Sequence, residues 1–269
     1  MRTHDDIRAL IDVAEALADA AGAVLRPQFR AQIAVENKGA GEAFDPVTEA
    51  DRAAERAMRA VLADARPQDG IFGEEEAPQK GASGLTWVLD PIDGTRAFIS
   101  GLPTWGTLIA LDDGAGPILG LIDQPFLGER FLGHAGGALY RRGRDQRPLT
   151  VRGTQDLADA TLFSTFPEIG TEEERLGFEA VRDQVRLTRY GTDCYAYALL
   201  ALGQIDLVIE AGLAPYDIQG PMAVIQAAGG IVTDWRGRPA HHGGRVVAAA
   251  TPALHNAALA CLSKVPDPG

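Results

Sequence analysis

The stretch WVLDPIDGTRAFISG, residues 87–101, places two aspartates directly after an apolar run. The run WVL predicts a buried strand, and the Pro and Gly that follow it predict a sharp turn. We therefore expect Asp90 and Asp93 at the end of a strand, held close together by a stiff loop. Their carboxylates would repel each other, so a shared proton, an Arg or Lys, or a metal ion must offset the repulsion. The alternative is an Asx-turn at each aspartate, which would cap a following helix.

Length and charge restrict the possible partners. The chain has 269 residues, enough for one large domain or two closely packed ones, and its formal net charge is -12. Such a surface predicts no nucleic acid partner and no anionic membrane partner, because phosphate binding needs a basic footprint. A phosphorylated small molecule remains compatible with it, provided that cations mediate the contact.

The N-terminus and the cysteines indicate the compartment. Residues 1–29 carry several acids and lack the apolar segment of a signal peptide, and no apolar run in the chain reaches transmembrane length. The two cysteines, Cys194 and Cys261, belong to no CxxC pair. We expect a cytoplasmic protein with two reduced thiols.

Residues 1–150 predict an α+β half. Apolar residues recur at helical spacing over residues 5–25, and a second, Ala-rich helix is predicted over 48–65 with Thr48 as its N-cap. The segment GIFGEEE, residues 70–76, predicts a short strand that ends in acids. Two hairpins are predicted further on, in WGTLIALDDGAGPILGLIDQPF and in ERFLGHAGGALYRRG. This half should contain two long helices and a mainly antiparallel sheet.

Residues 151–269 predict a layered α/β half, because strands and helices alternate from about residue 160 onward. The predicted strands are ATLFSTF, IDLVIEA, IVTDW and RVVAAAT. The predicted helices are TEEERLGFEAVRDQV, DCYAYALLALGQ, DIQGPMAVIQAAGG and PALHNAALACLSKV. The boundary between the halves is expected within RRGRDQRPLT.

Further acids stand where the chain turns. Glu74 ends the GIFG strand, where a plain surface loop is the rival interpretation. Asp217 follows a Pro-Tyr pair and precedes a helix, a position typical of an N-cap that could also bind a metal. Asp51 lies three residues after Thr48, so either a capping box or a catalytic role would explain it.

Oxygen-rich sites of this kind favour hard cations. Mg²⁺ binds a few carboxylates together with water and substrate phosphate. No Cys/His cluster in the sequence suggests zinc, and the adjacent His241 and His242 are expected in an exposed loop. If the fold gathers the acids at positions 74, 90, 93 and 217, the site would match a Mg²⁺ phosphatase with two ions about 3.5–4 Å apart.

The motifs GEE, DPIDGT and PYD, in this order, resemble the inositol monophosphatase superfamily of Mg²⁺-dependent, lithium-sensitive phosphatases. The resemblance extends from Lys38 to the last strands. It implies a layered αβαβα sandwich of the inositol monophosphatase/fructose-bisphosphatase type, which combines α+β and α/β features. It also implies a homodimer, a small phosphate ester as substrate, and two or three Mg²⁺ ions per active site.

The resemblance implies a role for each motif residue. The metal ligands would be Glu74, Asp90, the carbonyl of Ile92, Asp93 and Asp217, with Asp90 bridging two ions. The catalytic groups would be Asp51 and Thr95, which position and activate the attacking water, together with Glu74. The phosphate would be held by the backbone amides of Gly94 and Thr95, at the start of a helix, and by Lys38.

The choice of substrate is expected in the second half. Asp193 stands where inositol-directed enzymes usually have a small residue, and Glu210 lies seven residues before Asp217. The stretches DPIDGTRAFISGLPTWGTLIAL and DCYAYALLALGQIDLVIEAGL resemble the histidinol-phosphatase branch, although Arg96 and Ala97 replace the more usual Lys-Ser. This resemblance implies that Asp193 and Glu210 bind the ammonium and imidazole groups of L-histidinol phosphate, with Asp93 also facing the substrate. An N-cap for the following helix is the alternative role of Asp193.

Two other functions remain open on the sequence. A broad inositol-phosphate or sugar-phosphate phosphatase would turn over inositol 1-phosphate comparably well and would be little affected by Asp193→Ala. A non-catalytic relative that binds metal or a partner protein would release no phosphate from any small ester in Mg²⁺.

Overall fold

The computed structural model describes residues 4–32, 35–37 and 46–267. The helices in these ranges are α1 His4–Leu25, α2 Glu49–Ala65, α3 Thr95–Ser100, α4 Glu172–Arg182, α5 Tyr195–Ala201, α6 Pro215–Ala227 and α7 Pro252–Leu262. The strands are β1 Val35–Asn37, β2 Pro46–Thr48, β3 Gly70–Gly73, β4 Thr86–Asp93, β5 Gly106–Asp112, β6 Pro117–Gln124, β7 Glu129–His134, β8 Gly137–Arg142, β9 Asp145–Pro148, β10 Thr161–Ser164, β11 Leu187–Tyr190, β12 Leu207–Leu213, β13 Ile231–Thr233 and β14 Gly244–Ala249. In the described ranges, no helix is both long and apolar enough to cross a bilayer.

Two mixed sheets form the framework. The first has the order β3-β4-β5-β6-β7-β8-β9, and only its β3–β4 pair is parallel. The second has the order β11-β10-β12-β14-β13, in which β10 runs parallel to both β11 and β12. The predicted hairpins are β5–β6 and β7–β8, both antiparallel, so the expectation of a mainly antiparallel first sheet is confirmed.

The helices form three layers around these sheets. Helices α1 and α2 pack on one face of the first sheet, α5 and α6 lie between the sheets, and α4 and α7 cover the second sheet. Each interface is filled by its own cluster of buried apolar side chains. The layered αβαβα sandwich is thereby confirmed. The division at residue 150 stays a prediction, because α6 contacts strands of both sheets.

Helix α6 approaches the first sheet closely because glycines face it. A Cβ added to Gly120 on β6 would lie 2.2 Å from the carbonyl oxygen of Gly220. One added to Gly133 on β7 would lie 2.4 Å from the Cα of Val224. This backbone contact fixes the start of α6, which carries Asp217, relative to the sheet that carries Asp90.

The expected position of Asp90 and Asp93 at the end of a strand is confirmed, because β4 ends at Asp93. The segment between them is not a loop but an irregular part of the strand, with a shift of register against β5 between residues 90 and 93. The Pro91 carbonyl in the irregular segment accepts a hydrogen bond from Thr107 Oγ1 at 2.8 Å. An irregularity is expected here, because a proline has no N–H to donate to the ladder. The turn itself comes at Gly94, whose φ of 83° is left-handed.

Candidate active site

Three carboxylates converge where β4 ends and α6 begins. Asp90, Asp93 and Asp217 each offer an oxygen within 4.8 Å of the others, and all three line a cavity of about 350 Å³. Glu74, just after β3, lines the same cavity because β3 is the parallel neighbour of β4. The structure thus brings together the four acids that the sequence singles out.

Asp90 is the most deeply placed of these acids. Its side chain is 1% exposed, and its Oδ1 has no hydrogen-bond partner among the described residues. Burial, followed by the charges of Glu74, Asp93 and Asp217, raises its pKa well above the usual value. A buried carboxylate oxygen without a donor is a costly arrangement that a bound cation would relieve.

The other two aspartates are anchored by backbone donors. Asp93 Oδ2 accepts from the N–H of Cys194 at 2.6 Å, and Asp217 Oδ2 accepts from the N–H of Ala214 at 2.7 Å. Burial nevertheless raises the pKa of both, that of Asp217 to about 6. Asp217 is not the N-cap that its sequence position indicated. It occupies the third position of α6 and reaches back to the cap residue, Ala214.

The donor set around the cavity suits a hard cation. Carboxylates and the Ile92 segment supply oxygen, which Mg²⁺ prefers. Cys194 also lines the cavity as its one sulfur donor among the described residues, and burial, followed by the charge of the neighbouring Asp93, raises the pKa of its thiol. The residues present therefore fit Mg²⁺ better than a thiophilic metal.

Asp51 serves its helix and the site at once. Its Oδ2 accepts from the backbone N–H of Thr48 at 2.8 Å and from the Thr48 hydroxyl at 2.6 Å, which completes the capping box of α2. Its Oδ1 lies 3.4 Å from Thr95 Oγ1, a hydroxyl that also lies 3.1 Å from the Ile92 carbonyl oxygen. The two alternatives left by the sequence are therefore compatible, because each uses a different carboxylate oxygen.

The turn after β4 needs a glycine for steric reasons as well. A Cβ on Gly94 would lie 2.8 Å from the Cβ of Asp193, so the two residues are in close contact. Gly94 is followed by Thr95, the first residue of α3. Lys38, the third group expected near the phosphate, lies outside the described residues.

Two further acids, the buried Glu210 and the half-buried Asp193, border the cavity. Glu210 on β12 accepts from the N–H and the hydroxyl of Thr165 at 2.6 and 2.9 Å, yet burial raises its pKa to about 7. Burial likewise raises the pKa of Asp193 to about 6. Asp193 is not a helix N-cap, since α5 begins at Tyr195 with Cys194 as its cap. Its own backbone is left-handed, with a φ of 44°.

Several cavity residues were not predicted from the sequence: Thr165, Phe166, Arg96 and Tyr197. The first two follow β10, which pairs in parallel with the strand of Glu210. The carboxyl ends of parallel strands meet at one edge of a sheet, so the last residues of ATLFSTF could have been predicted to lie near the site. The register between the two strands was not available from the sequence.

The chain is similar to known proteins in both sequence and fold. Residues 6–266 match the profile of the inositol monophosphatase family. The chain is 46% identical, over 84% of its length, to bifunctional phosphatase IMPL2, chloroplastic, of Arabidopsis thaliana, and spans 64% of that protein. It is 36% identical to a histidinol-phosphatase of Streptomyces coelicolor over 97% of both chains. A solved inositol monophosphatase from Zymomonas mobilis has a similar fold, with a TM-score of 0.83 and 41% identity over 97% of this chain and 100% of that one.

Proposed function

Because the chain belongs to the inositol monophosphatase family, we propose that it hydrolyses L-histidinol phosphate to L-histidinol and phosphate in the presence of Mg²⁺. It is a phosphoric monoester hydrolase, as its named relatives are. One observation supports this choice of substrate. The cavity that gathers the metal-binding acids also holds the buried Glu210 and the half-buried Asp193, two acids suited to a cationic leaving group. A histidine-biosynthetic role follows from that substrate.

The metal would be held by the oxygen cluster. In this proposal Glu74, Asp90, Asp93, Asp217 and the Ile92 carbonyl hold two or three Mg²⁺ ions. Bound Mg²⁺ supplies positive charge against the phosphate and lowers the pKa of the attacking water. The orphaned Asp90 Oδ1 is the feature that most strongly supports this assignment.

The proton from the water passes to Thr95 and Asp51. Thr95 Oγ1 accepts it while giving its own proton to Asp51 Oδ1, 3.4 Å away. The Thr48 bonds to Oδ2 hold Asp51 in place for this transfer. Water attacks phosphorus in line, the P–O bond to the alcohol breaks, and the departing oxygen takes up a proton from solvent water. We propose no phosphoenzyme, because no nucleophilic Cys or Ser motif accompanies the acid motifs in the sequence.

The two ends of the ester would be held separately. The amides of Gly94 and Thr95 bind phosphate at the start of α3, with Lys38 as a further donor. Asp193 and Glu210 take the ammonium and imidazole groups, and Asp93 also faces the substrate. Charge-assisted hydrogen bonds of this kind contribute about 1.5–3 kcal/mol each. That is enough for useful discrimination against an uncharged polyol.

A phosphate-release panel tests the proposal. Histidinol phosphate, inositol 1-phosphate and fructose 1,6-bisphosphate are compared with Mg²⁺ present, in the wild type and in Asp193→Ala. We expect the highest kcat/KM for histidinol phosphate and a selective loss on that ester in the variant. A preference for inositol 1-phosphate would favour the second candidate, an inositol monophosphatase, to which the Zymomonas mobilis structure points. Equal losses on every ester would make Asp193 a structural residue.

We further propose that the enzyme works as a cytoplasmic homodimer. Both cysteines are free, as expected of a reducing compartment, and Leu102, Leu176 and Leu187 are exposed apolar side chains. Sedimentation at micromolar concentration tests the dimer, and a monomeric mass would contradict it.

A further inference from the structure

Phe166 lies at the rim of the active-site cavity with 42% of its surface exposed. It follows Thr165 directly, and both the N–H and the hydroxyl of Thr165 donate to Glu210, at 2.6 and 2.9 Å. These two hydrogen bonds hold the backbone next to Phe166 against Glu210, one of the acids that are proposed to bind the leaving group.

Arg96, which also lines the cavity, contacts the face of this ring. The guanidinium carbon of Arg96 lies 5.0 Å from the centroid of the Phe166 ring. Arg96 belongs to the first turn of α3, next to the backbone proposed to bind phosphate. The pair thus connects the phosphate end of the cavity to the loop after β10.

The contact between Arg96 and Phe166 determines which groups of a ligand can bind favourably to the Phe166 ring. An aromatic face attracts a cation through its negative potential, and Arg96 already uses that attraction on Phe166. A second cation on the same ring would be repelled by Arg96, whereas a flat neutral ring gains stacking and buried apolar surface. Asp193 and Glu210 remain nearby for a positive charge.

We propose that Phe166 is a specificity-determining residue whose ring stacks on the face of the neutral imidazole of the leaving group, while Asp193 and Glu210 bind the ammonium and the imidazole N–H at the ring's edge. The inference rests on the proposed function and goes beyond it, because it separates recognition of the ring from recognition of the charge. Arg96 is a positioning residue in this arrangement. The cavity, at about 350 Å³, lies within the size range of small-molecule sites.

The test compares esters with and without the ring. KM and kcat are measured for the wild type, Phe166→Leu and Phe166→Trp at about pH 8, where imidazole is mostly neutral. The substrates are histidinol phosphate and ethanolamine phosphate, which keeps the ammonium and lacks the ring. If the second ester turns over too slowly, its Ki as a competitive inhibitor replaces KM. Circular dichroism checks that both variants are folded.

We expect Phe166→Leu to raise the KM for histidinol phosphate about threefold to tenfold. The kcat for that ester, and the KM or Ki for ethanolamine phosphate, should change by less than about twofold. Phe166→Trp should keep the wild-type KM. Equal effects on both esters, or none on either, would overturn the stacking role, as would a changed oligomeric state of Phe166→Leu. The proposed function is tested separately by the wild type, in which a preference for inositol 1-phosphate would contradict it.

Discussion

At the scale of one residue, Asp90 is a side chain whose burial destabilises the metal-free fold but suits a metal site. It is fully buried beside three other acids, with one oxygen unpaired in the described structure. Other buried aspartates of the chain are compensated, as Asp123 is by Arg130 at 2.7 Å. A carboxylate left in this state is expected where function, and not folding, has selected it.

The first prediction concerns Asp90→Asn. The amide has the same shape but cannot be charged, so without Mg²⁺ at about pH 7.5 the Tm should rise by about 2–4 °C, equivalent to roughly 1 kcal/mol in a domain of this size. Phosphate release should be lost, and the stabilisation by Mg²⁺ should largely disappear. Differential scanning calorimetry in EDTA and in Mg²⁺ measures both effects.

Asp123→Asn is the matched control for that prediction. It removes the charge that pairs with Arg130, so it should lower Tm whether Mg²⁺ is present or not. If Asp90→Asn destabilises the EDTA-treated protein as much as the control does, the charge on Asp90 is not a cost to the fold.

The second prediction is a pH dependence of substrate choice. Burial raises the pKa of Glu210 to about 7 and that of Asp193 to about 6, so both lose their negative charge as the pH falls through this range. Only the ionised forms attract an ammonium group. The KM for histidinol phosphate relative to that for inositol 1-phosphate should therefore rise as the pH is lowered from about 8 to about 5.5. A ratio that stays constant over this range would exclude both acids from binding the cation.

At the scale of elements, the N-terminus of α2 links helix stability to chemistry. Thr48 caps the helix and donates to Asp51 from both its backbone and its hydroxyl. The third prediction is that Thr48→Ala lowers the free energy of unfolding by about 1 kcal/mol and also lowers kcat, because Asp51 loses one of these donors. Urea unfolding and steady-state kinetics measure the two effects.

Helix α4 supplies the control for this cap. Thr171 forms the same capping box with Glu174, and neither residue lines the active-site cavity. Thr171→Ala should cost a similar free energy and leave kcat unchanged. A loss of kcat in both variants would mean that reduced stability, and not the position of Asp51, affects the rate.

The fourth prediction concerns the close contact between α6 and the first sheet. Gly120→Ala would place a methyl group 2.2 Å from the Gly220 carbonyl, so the helix must move away from β6. We expect a cost of about 1–3 kcal/mol in urea unfolding and a higher Mg²⁺ concentration for half-maximal activity, since α6 carries Asp217. Gly153→Ala is the control, because its Cβ would meet nothing within 4 Å. Unchanged Mg²⁺ activation in a destabilised Gly120→Ala would show that α6 does not set the metal site.

At the scale of the whole molecule, acids from both sheets meet in one cavity of a protein with a net charge of -12. Burial raises the pKa of Asp193, Glu210 and Asp217 above the values they have in the unfolded chain. The metal-free folded state thus binds more protons than the unfolded state between about pH 4 and pH 7. The stability contributed by these groups is full below that range and is lost as the pH rises through it.

The fifth prediction follows from this linkage. In EDTA, Tm should fall as the pH is raised from about 5 to about 7.5, whereas saturating Mg²⁺ should reduce or reverse this fall, because bound cations favour the ionised acids. Thermal unfolding at several pH values with and without Mg²⁺ measures the difference. Parallel curves in the two conditions would contradict a metal site built from these carboxylates.

The sequence by itself determined the helix at 48–65 with its cap at Thr48, the two hairpins and the acid motifs, because each depends on residues close together in the chain. Only the tertiary structure decided that Asp51 uses one oxygen for its cap and the other for Thr95, that Asp93 is held by the amide of Cys194, and that the amide of Thr165 donates to Glu210. The partners in the last two contacts are 101 and 45 residues apart in the chain. Contacts of that range depend on strand register and on how closely α6 packs between the sheets, and local sequence patterns carry no information about either.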